Sequence, residues 1–183
     1  MATQREISDG SRSPGHNLAK NLNKLLEPYT SQTKTAVNGG KQLIQFIREG
    51  RFNGNVLGSC DAVALYPSII VEAGLELLER KILEDEDLER KTDLSKAELA
   101  KLTRLVTEEL YFESEFGFFQ KNGGTQMGGP LSRLLADLVI ENNIEAKIAA
   151  HPRWGPIWDW VRLIDDTLSV WESEEIFLEF LST

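Results

Sequence analysis

Two stretches decide how this chain reads: CDAVALYPSI, residues 60–69, and RLIDDTLSVW, residues 162–171. In each, aspartates stand among short apolar and β-branched residues: Asp61 in the first, Asp165 and Asp166 in the second. Such runs, bounded by turn residues, belong to strands. A carboxylate at the end of a buried strand is costly unless it is paired, hydrogen-bonded or bound to a cation. Three carboxylates gathered by neighbouring strands are hard oxygen donors that suit Mg²⁺, and two such ions support phosphoryl or nucleotidyl transfer. Taken alone, Asp165-Asp166 reads as an exposed turn pair, and Asp61 as a strand-end carboxylate accepting from a local N–H.

Around the first stretch, NVLGSCDAVAL (55–65) is strand-like, and after Pro67 the apolar period changes to 3.6. Val71, Leu75, Leu78 and Ile82 form one stripe of a helix. Its outer face, within ELLERKILEDEDLERK (76–91), reads as a solvated surface, with Glu76 and Arg80 spaced for i,i+4 pairing. Ser95 followed by Glu98 is a capping-box pattern opening a helix that carries Leu99, Leu102, Val106 and Leu110. YFESEFGFFQ (111–120) alternates and reads as one strand running into the KNGG turn. PLSRLLADLVIENNIEAKI (130–148) reads as one long helix with Pro130 in its first turn and Leu131, Leu134 and Leu138 on its inner face.

Around the second stretch, WDWVRLI and TLSVW read as a tight hairpin with both acids at its turn, and EEIFLEFL as a last helix. Towards the N-terminus, NLAKNLNKLLEPY (17–29) is helical through Leu18, Leu22, Leu25 and Leu26 and is ended by Pro28. KQLIQFIREG (41–50) is a shorter helix with Leu43, Ile44 and Ile47 on one face. The predicted order is α, α, β, α, α, β, α, β-hairpin, α, an α+β architecture with an antiparallel sheet packed on helices.

The 183 residues suffice for a real core, and 41% apolar with 27% charged residues is a globular composition. No apolar run reaches membrane-spanning length and no secretory leader opens the chain, so an intracellular setting, nucleus or cytoplasm, is expected. Cys60 is the only cysteine, which excludes an intrachain disulfide and a cysteine zinc cluster. The net charge of −9 argues against a chain that grips nucleic acid unaided, because phosphate contacts need Lys and Arg. His16 and His151 fall in expected loops, so the carboxylates lack the histidine or nucleophile set of a metal-dependent phosphohydrolase.

Four segments in order resemble the reverse transcriptase family, most closely the Penelope-like retroelement branch: SPGHNLAKNLNKLLEP, CDAVALYPSIIVEAGLELL, QKNGGTQMGGPLSRLLADLVIE and WVRLIDDTLSVW. The resemblance covers nearly the whole chain. It implies a polymerase palm-and-fingers fold, with residues 1–55 as partial fingers and connecting helices and 56–183 as palm. It also implies a thumb and further palm beyond the chain, supplied by a longer polyprotein. The implied activity is RNA-directed DNA polymerisation, with an RNA or DNA template, a primer and deoxynucleoside triphosphates as partners and no membrane. An inactive retroelement-derived remnant with at most a binding role is the alternative.

The resemblance assigns metal-ligand and catalytic roles to Asp61, Asp165 and Asp166, around two Mg²⁺ or Mn²⁺ ions. Asp61 and Asp165 would be the main ligands, with Asp166 beside them. Tyr66 would exclude a ribose 2′-hydroxyl; the other reading is an ordinary core tyrosine. Gln126 and Met127 would line the nucleotide pocket, and Gly128 and Gly129 would admit close backbone approach, or serve as plain turn residues. Arg5 would grip the triphosphate, and reads otherwise as a solvated arginine. The chain departs from the family at Leu163, where tyrosine is usual, at Arg133 in place of a proline, and at Cys60 in place of an aromatic residue.

Overall fold

The computed structural model describes residues 14–30, 35–37, 39–49, 56–108, 111–114, 116–120, 123–126, 128–150 and 160–182. Arg5, Met127 and His151 lie outside the described residues. The chain divides into two units, Met1–Thr30 with Ala64–Ile140, and Ser31–Val63 with Glu141–Thr183. Helices and antiparallel sheet are both present, as the α+β reading expects.

The first unit is mainly helical. It holds α1 (His16–Leu26), a 3-10 turn at Glu27–Tyr29, α3 (Leu65–Ser68), α4 (Val71–Glu84), α5 (Leu88–Lys91), α6 (Lys96–Glu108), the strands β2 (Tyr111–Ser114) and β3 (Gly117–Gln120), and α7 (Ser132–Ile140). The leucine stripes meet in one core: Leu22 and Leu26 from α1, Leu75, Leu78 and Ile82 from α4, Leu99 from α6, and Leu134, Leu135 and Leu138 from α7. Each such side chain contributes about 1.5–3 kcal/mol on burial. Helix α4 approaches α7 closely because Gly74 faces Leu135, where a Cβ would stand 3.2 Å from Leu135 Cδ2.

The capping box forms as expected. Ser95 N–H and hydroxyl both donate to Glu98 (2.9 and 2.6 Å), and Glu98 N–H donates back to Ser95 Oγ (3.3 Å). The Glu76–Arg80 pair does not form. Two other α4 carboxylates, Glu72 and Glu79, pair with Arg104 of α6, which also reaches Glu108. His16, expected in a loop, opens α1, because the first turn is closed by Ala19 N–H donating to Gly15 O at 2.8 Å.

The alternating segment 111–120 is not one strand but the antiparallel pair β2–β3, with Tyr111 opposite Gln120 and Ser114 opposite Gly117. Gly117 has a φ of +123°, a conformation closed to most side chains, and the chain reverses there. The long helix expected over 130–148 is also interrupted. Helix α7 ends at Ile140, Glu141–Glu145 forms a π-helical turn, and α8 (Ala146–Ala150) follows.

The second unit is built on a three-stranded antiparallel sheet in the order β1 (Val56–Asp61), β5 (Asp166–Trp171), β4 (Trp160–Leu163). It also holds α2 (Gly40–Glu49), the π turn, α8 and α9 (Glu174–Leu181). Helix α2 buries no residue completely: Leu43 and Phe46 are half-buried, while Ile44 and Ile47, expected on one face with Leu43, are exposed.

Pleat alternation gives the sheet two distinct faces. Val56, Gly58, Trp171 and Trp160 share the face covered by Ile148, Ile176, Phe177 and Phe180. The rings of Trp171 and Phe180 lie 5.0 Å apart, and those of Trp160 and Phe180 5.7 Å apart, edge to face. Gly58 is needed here: a Cβ would stand 2.7 Å from Phe177 and 2.8 Å from Trp171 Nε1. The opposite face carries Leu57, Ser59, Asp61 and Asp166, all exposed. Among the described residues no helix is long and apolar enough to cross a membrane.

Candidate functional site

Register places the aspartates. Strand β1 pairs with β5 from Val56–Trp171 to Asp61–Asp166, so Asp61 and Asp166 are directly opposed on one face. Opposed residues of an antiparallel pair have Cα atoms about 4.5–5.5 Å apart. The turn joining β4 to β5 is the two residues Ile164 and Asp165. Of the two acids expected at the turn, only Asp165 lies in it, and Asp166 already belongs to β5. Asp165 carbonyl accepts from Ala62 N–H at 3.3 Å, which extends the pairing one step past Asp61.

The three aspartates are therefore neighbours in one unit, but not in the environment that the sequence suggested. Asp61 and Asp166 are exposed and Asp165 is half-buried, so their charges keep contact with water. Carboxylates of this kind fit the donor preference of Mg²⁺. Among the described residues, however, no three His, Cys, Asp or Glu side chains are drawn together tightly enough to form a ready metal cluster.

The backbone beneath the turn is held by groups that the sequence reading missed. Ile164 has a φ of +64°, a left-handed conformation costing a β-branched residue about 1–2 kcal/mol. Arg162, only 2% exposed, donates from Nη1 to Ile164 O at 3.2 Å. Its Nε donates to Glu145 Oε1 at 3.2 Å, and Nη2 lies 3.8 Å from Glu141 Oε1. Thr35 hydroxyl donates to Glu145 Oε2 at 2.8 Å. Backbone bonds Arg162 N–H to Thr35 O (2.8 Å) and Val37 N–H to Arg162 O (2.9 Å) pin the outer edge of β4. A charged residue inside a strand pattern was the only sequence signal for Arg162; its acidic partners lie about 20 residues upstream.

Thr167 hydroxyl donates to Cys60 O at 3.0 Å and Ser169 hydroxyl to Gly58 O at 3.1 Å, so side chains of β5 reinforce its ladder with β1. Burial pushes the Cys60 thiol up, against a smaller lowering by Thr167.

The residues expected to meet a nucleotide lie in the first unit. Tyr66, in α3, is half-buried, and its carbonyl accepts from Thr125 N–H at 2.8 Å. Gly124 permits that contact, with a φ of +65° and only 2.5 Å between a built Cβ and Pro67 O. Neither Gly124 nor Thr125 was singled out from sequence, though the Gly-Gly pair signals a turn. Gln126 is buried and its carbonyl accepts from Gly129 N–H at 3.1 Å. Gly129 is crowded, since a Cβ would stand 2.5 Å from Ser132 Oγ, whereas Gly128, at φ +86°, has open space on that side. Tyr66, Gln126, Gly128 and Gly129 thus form one local group and the aspartates another.

No protein-family model matches the sequence, and no curated protein matches it. Solved structures do. Apo telomerase from Candida tropicalis superimposes with a TM-score of 0.59 at 15% identity, over 93% of this chain and 33% of that one. Telomerase from Candida albicans, in complex with a fragment of telomeric RNA, gives 0.58 at 14% identity, over 95% and 32%. The Candida tropicalis enzyme in complex with such a fragment gives 0.58 at 16% identity, over 93% and 30%. The chain spans about a third of the length of these structures. It is a mixed helical and antiparallel-sheet fold similar to part of these telomerase structures.

Proposed function

We propose that this chain is the palm-bearing part of an RNA-directed DNA polymerase of retroelement origin, most like the Penelope-like branch. The observation that carries the reading is the opposition of Asp61 and Asp166 across β1 and β5, with Asp165 in the adjoining turn. Ordered sequence motifs and a telomerase-like fold support it. Residues 1–55 would be partial fingers and 56–183 palm.

In this reading Asp61, Asp165 and Asp166 hold two Mg²⁺ ions, or Mn²⁺ in their place. Bound divalent ions supply an acidified primer 3′-hydroxyl and neutralise charge on the triphosphate. The exposed sheet face carrying Asp61 and Asp166 receives the primer end and the triphosphate. Tyr66 excludes a ribose 2′-hydroxyl. Gln126, Met127, Gly128 and Gly129 line the base and sugar, and Arg5 binds triphosphate oxygens. A primed RNA or DNA template and deoxynucleoside triphosphates are the partners, and RNA in the telomerase complexes is consistent with the first of these.

The net charge of −9 favours a second reading, a retroelement-derived binding remnant, because an acidic chain repels the phosphate backbone. Primer extension on an RNA template with Mg²⁺ or Mn²⁺ separates the two. The polymerase reading expects deoxynucleotide addition that disappears in Asp61→Asn and Asp165→Asn. Addition that survives both substitutions sinks the assignment of these carboxylates, and folded protein that adds nothing means that this chain alone is not a working polymerase.

A further inference from the structure

We infer that Arg162 is a positioning residue for the Asp165 turn, acting from beneath through a buried Arg162–Glu145–Glu141 cluster. The inference rests on the metal-binding reading of the aspartates. Ile164 is a β-branched residue in a left-handed conformation, immediately before Asp165. A strained residue persists only where its surroundings over-determine it. Here the Ile164 carbonyl accepts from Arg162 Nη1, while Asp165 O accepts from Ala62 N–H. The guanidinium is in turn oriented by Glu145, to which Thr35 also donates, with Glu141 close by. All three ionic side chains are buried. The π-helical turn at Glu141–Glu145 supplies both acids from one short segment, and π turns recur at functional sites.

A buried cluster of one arginine and two glutamates is a weak source of stability, because desolvation offsets the attraction. Its distinct product is geometry: a planar fork that meets an acid on one side and the turn carbonyl on the other. A lysine ammonium keeps the charge but has no fork spanning both.

The test compares wild type, Arg162→Lys, Arg162→Met/Glu145→Gln and Asp165→Asn. The double variant loses one charge of each sign, so the cluster keeps its formal charge if all three groups are ionised. Mn²⁺ binding is followed by electron paramagnetic resonance, and exchange of the Ala62 amide reports the turn. The expected result is a rise of about tenfold in the Mn²⁺ midpoint for Arg162→Lys and for the double variant, on the scale of outer partners of metal ligands. Faster Ala62 exchange should accompany it, while urea stability recovers in Arg162→Lys. Folded variants that bind Mn²⁺ at the wild-type midpoint overturn the proposal and leave the metal reading standing. Wild type and Asp165→Asn that bind Mn²⁺ equally, or not at all, overturn the metal reading and the proposal with it.

Discussion

Replacing Gly58 with alanine should destabilise the second unit by about 1–2 kcal/mol. The new Cβ would lie 2.7 and 2.9 Å from two carbons of the Phe177 ring and 2.8 Å from Trp171 Nε1. Carbon atoms settle about 3.5–4.0 Å apart, so ring and strand must part by roughly 1 Å. Neither partner yields freely. The Phe177 ring stacks at a tilt 5.4 Å from Trp171, and Trp171 Nε1 donates to Ser169 Oγ at 2.7 Å. Ser169 hydroxyl in turn donates to Gly58 O, so the indole, the hydroxyl and β1 move together or lose a bond. Overpacking of this kind costs about 1–3 kcal/mol, and replacing a strand glycine returns roughly 0.5–1 kcal/mol of backbone entropy. Urea unfolding followed by tryptophan emission reads this unit selectively, because all four tryptophans fall within residues 154–171. With a urea slope of about 1–3 kcal/mol/M, the midpoint should drop by roughly 0.5–1 M. In a Phe177→Ala background the cost should shrink without vanishing, because the 2.8 Å approach to Trp171 Nε1 remains. A Gly58→Ala midpoint at or above wild type, or an undiminished cost in the Phe177→Ala background, would refute the packing argument.

Three further outcomes are expected. Gly124→Ala combines a left-handed φ with a fixed backbone neighbour, Pro67 O, and should cost about 2–4 kcal/mol; hydrogen exchange at Thr125 should accelerate, whereas Gly128→Ala, with space around it, should cost only about 1 kcal/mol. Ser95→Ala removes the cap of α6 and should cost about 1 kcal/mol, with Ser95→Gly losing only a few tenths, read by far-UV circular dichroism during urea unfolding. The hydrogen bond from Lys91, and then that from the Tyr29 hydroxyl, hold the Asp85 carboxyl at about 2, below its ordinary 3.8. A lowered folded value means that this stabilisation is present above the ordinary value and disappears as pH falls through about 2. The stability difference between wild type and Asp85→Asn should therefore shrink from pH 5 to pH 2, and a constant difference would remove the carboxylate from the account.

The helices of the first unit were legible because their stripes repeat at 3.6 residues. Leu75, Leu78 and Ile82, like Leu134 and Leu138, are buried as their spacing required. The Ser95–Glu98 box was legible because both partners lie within one turn. Periodicity was blind to reversals inside an alternating run, so 111–120 read as one strand although Gly117 turns it back on itself. It was equally blind to the π turn after Ile140, since a widened helical turn leaves the apolar spacing nearly intact.

By itself the sequence determined which residues carry charge, where the apolar faces run, and that three aspartates end two strand-like segments. Tertiary structure decided which aspartates face each other. Pairing register is fixed across more than a hundred residues of intervening chain, so only the folded sheet sets Asp166, not Asp165, opposite Asp61. It also decided that these carboxylates keep contact with water, and that Arg162 sits beneath their turn between acids supplied by another element. Periodicity is a local property of the chain; register and buried charge pairing belong to elements that meet only on folding.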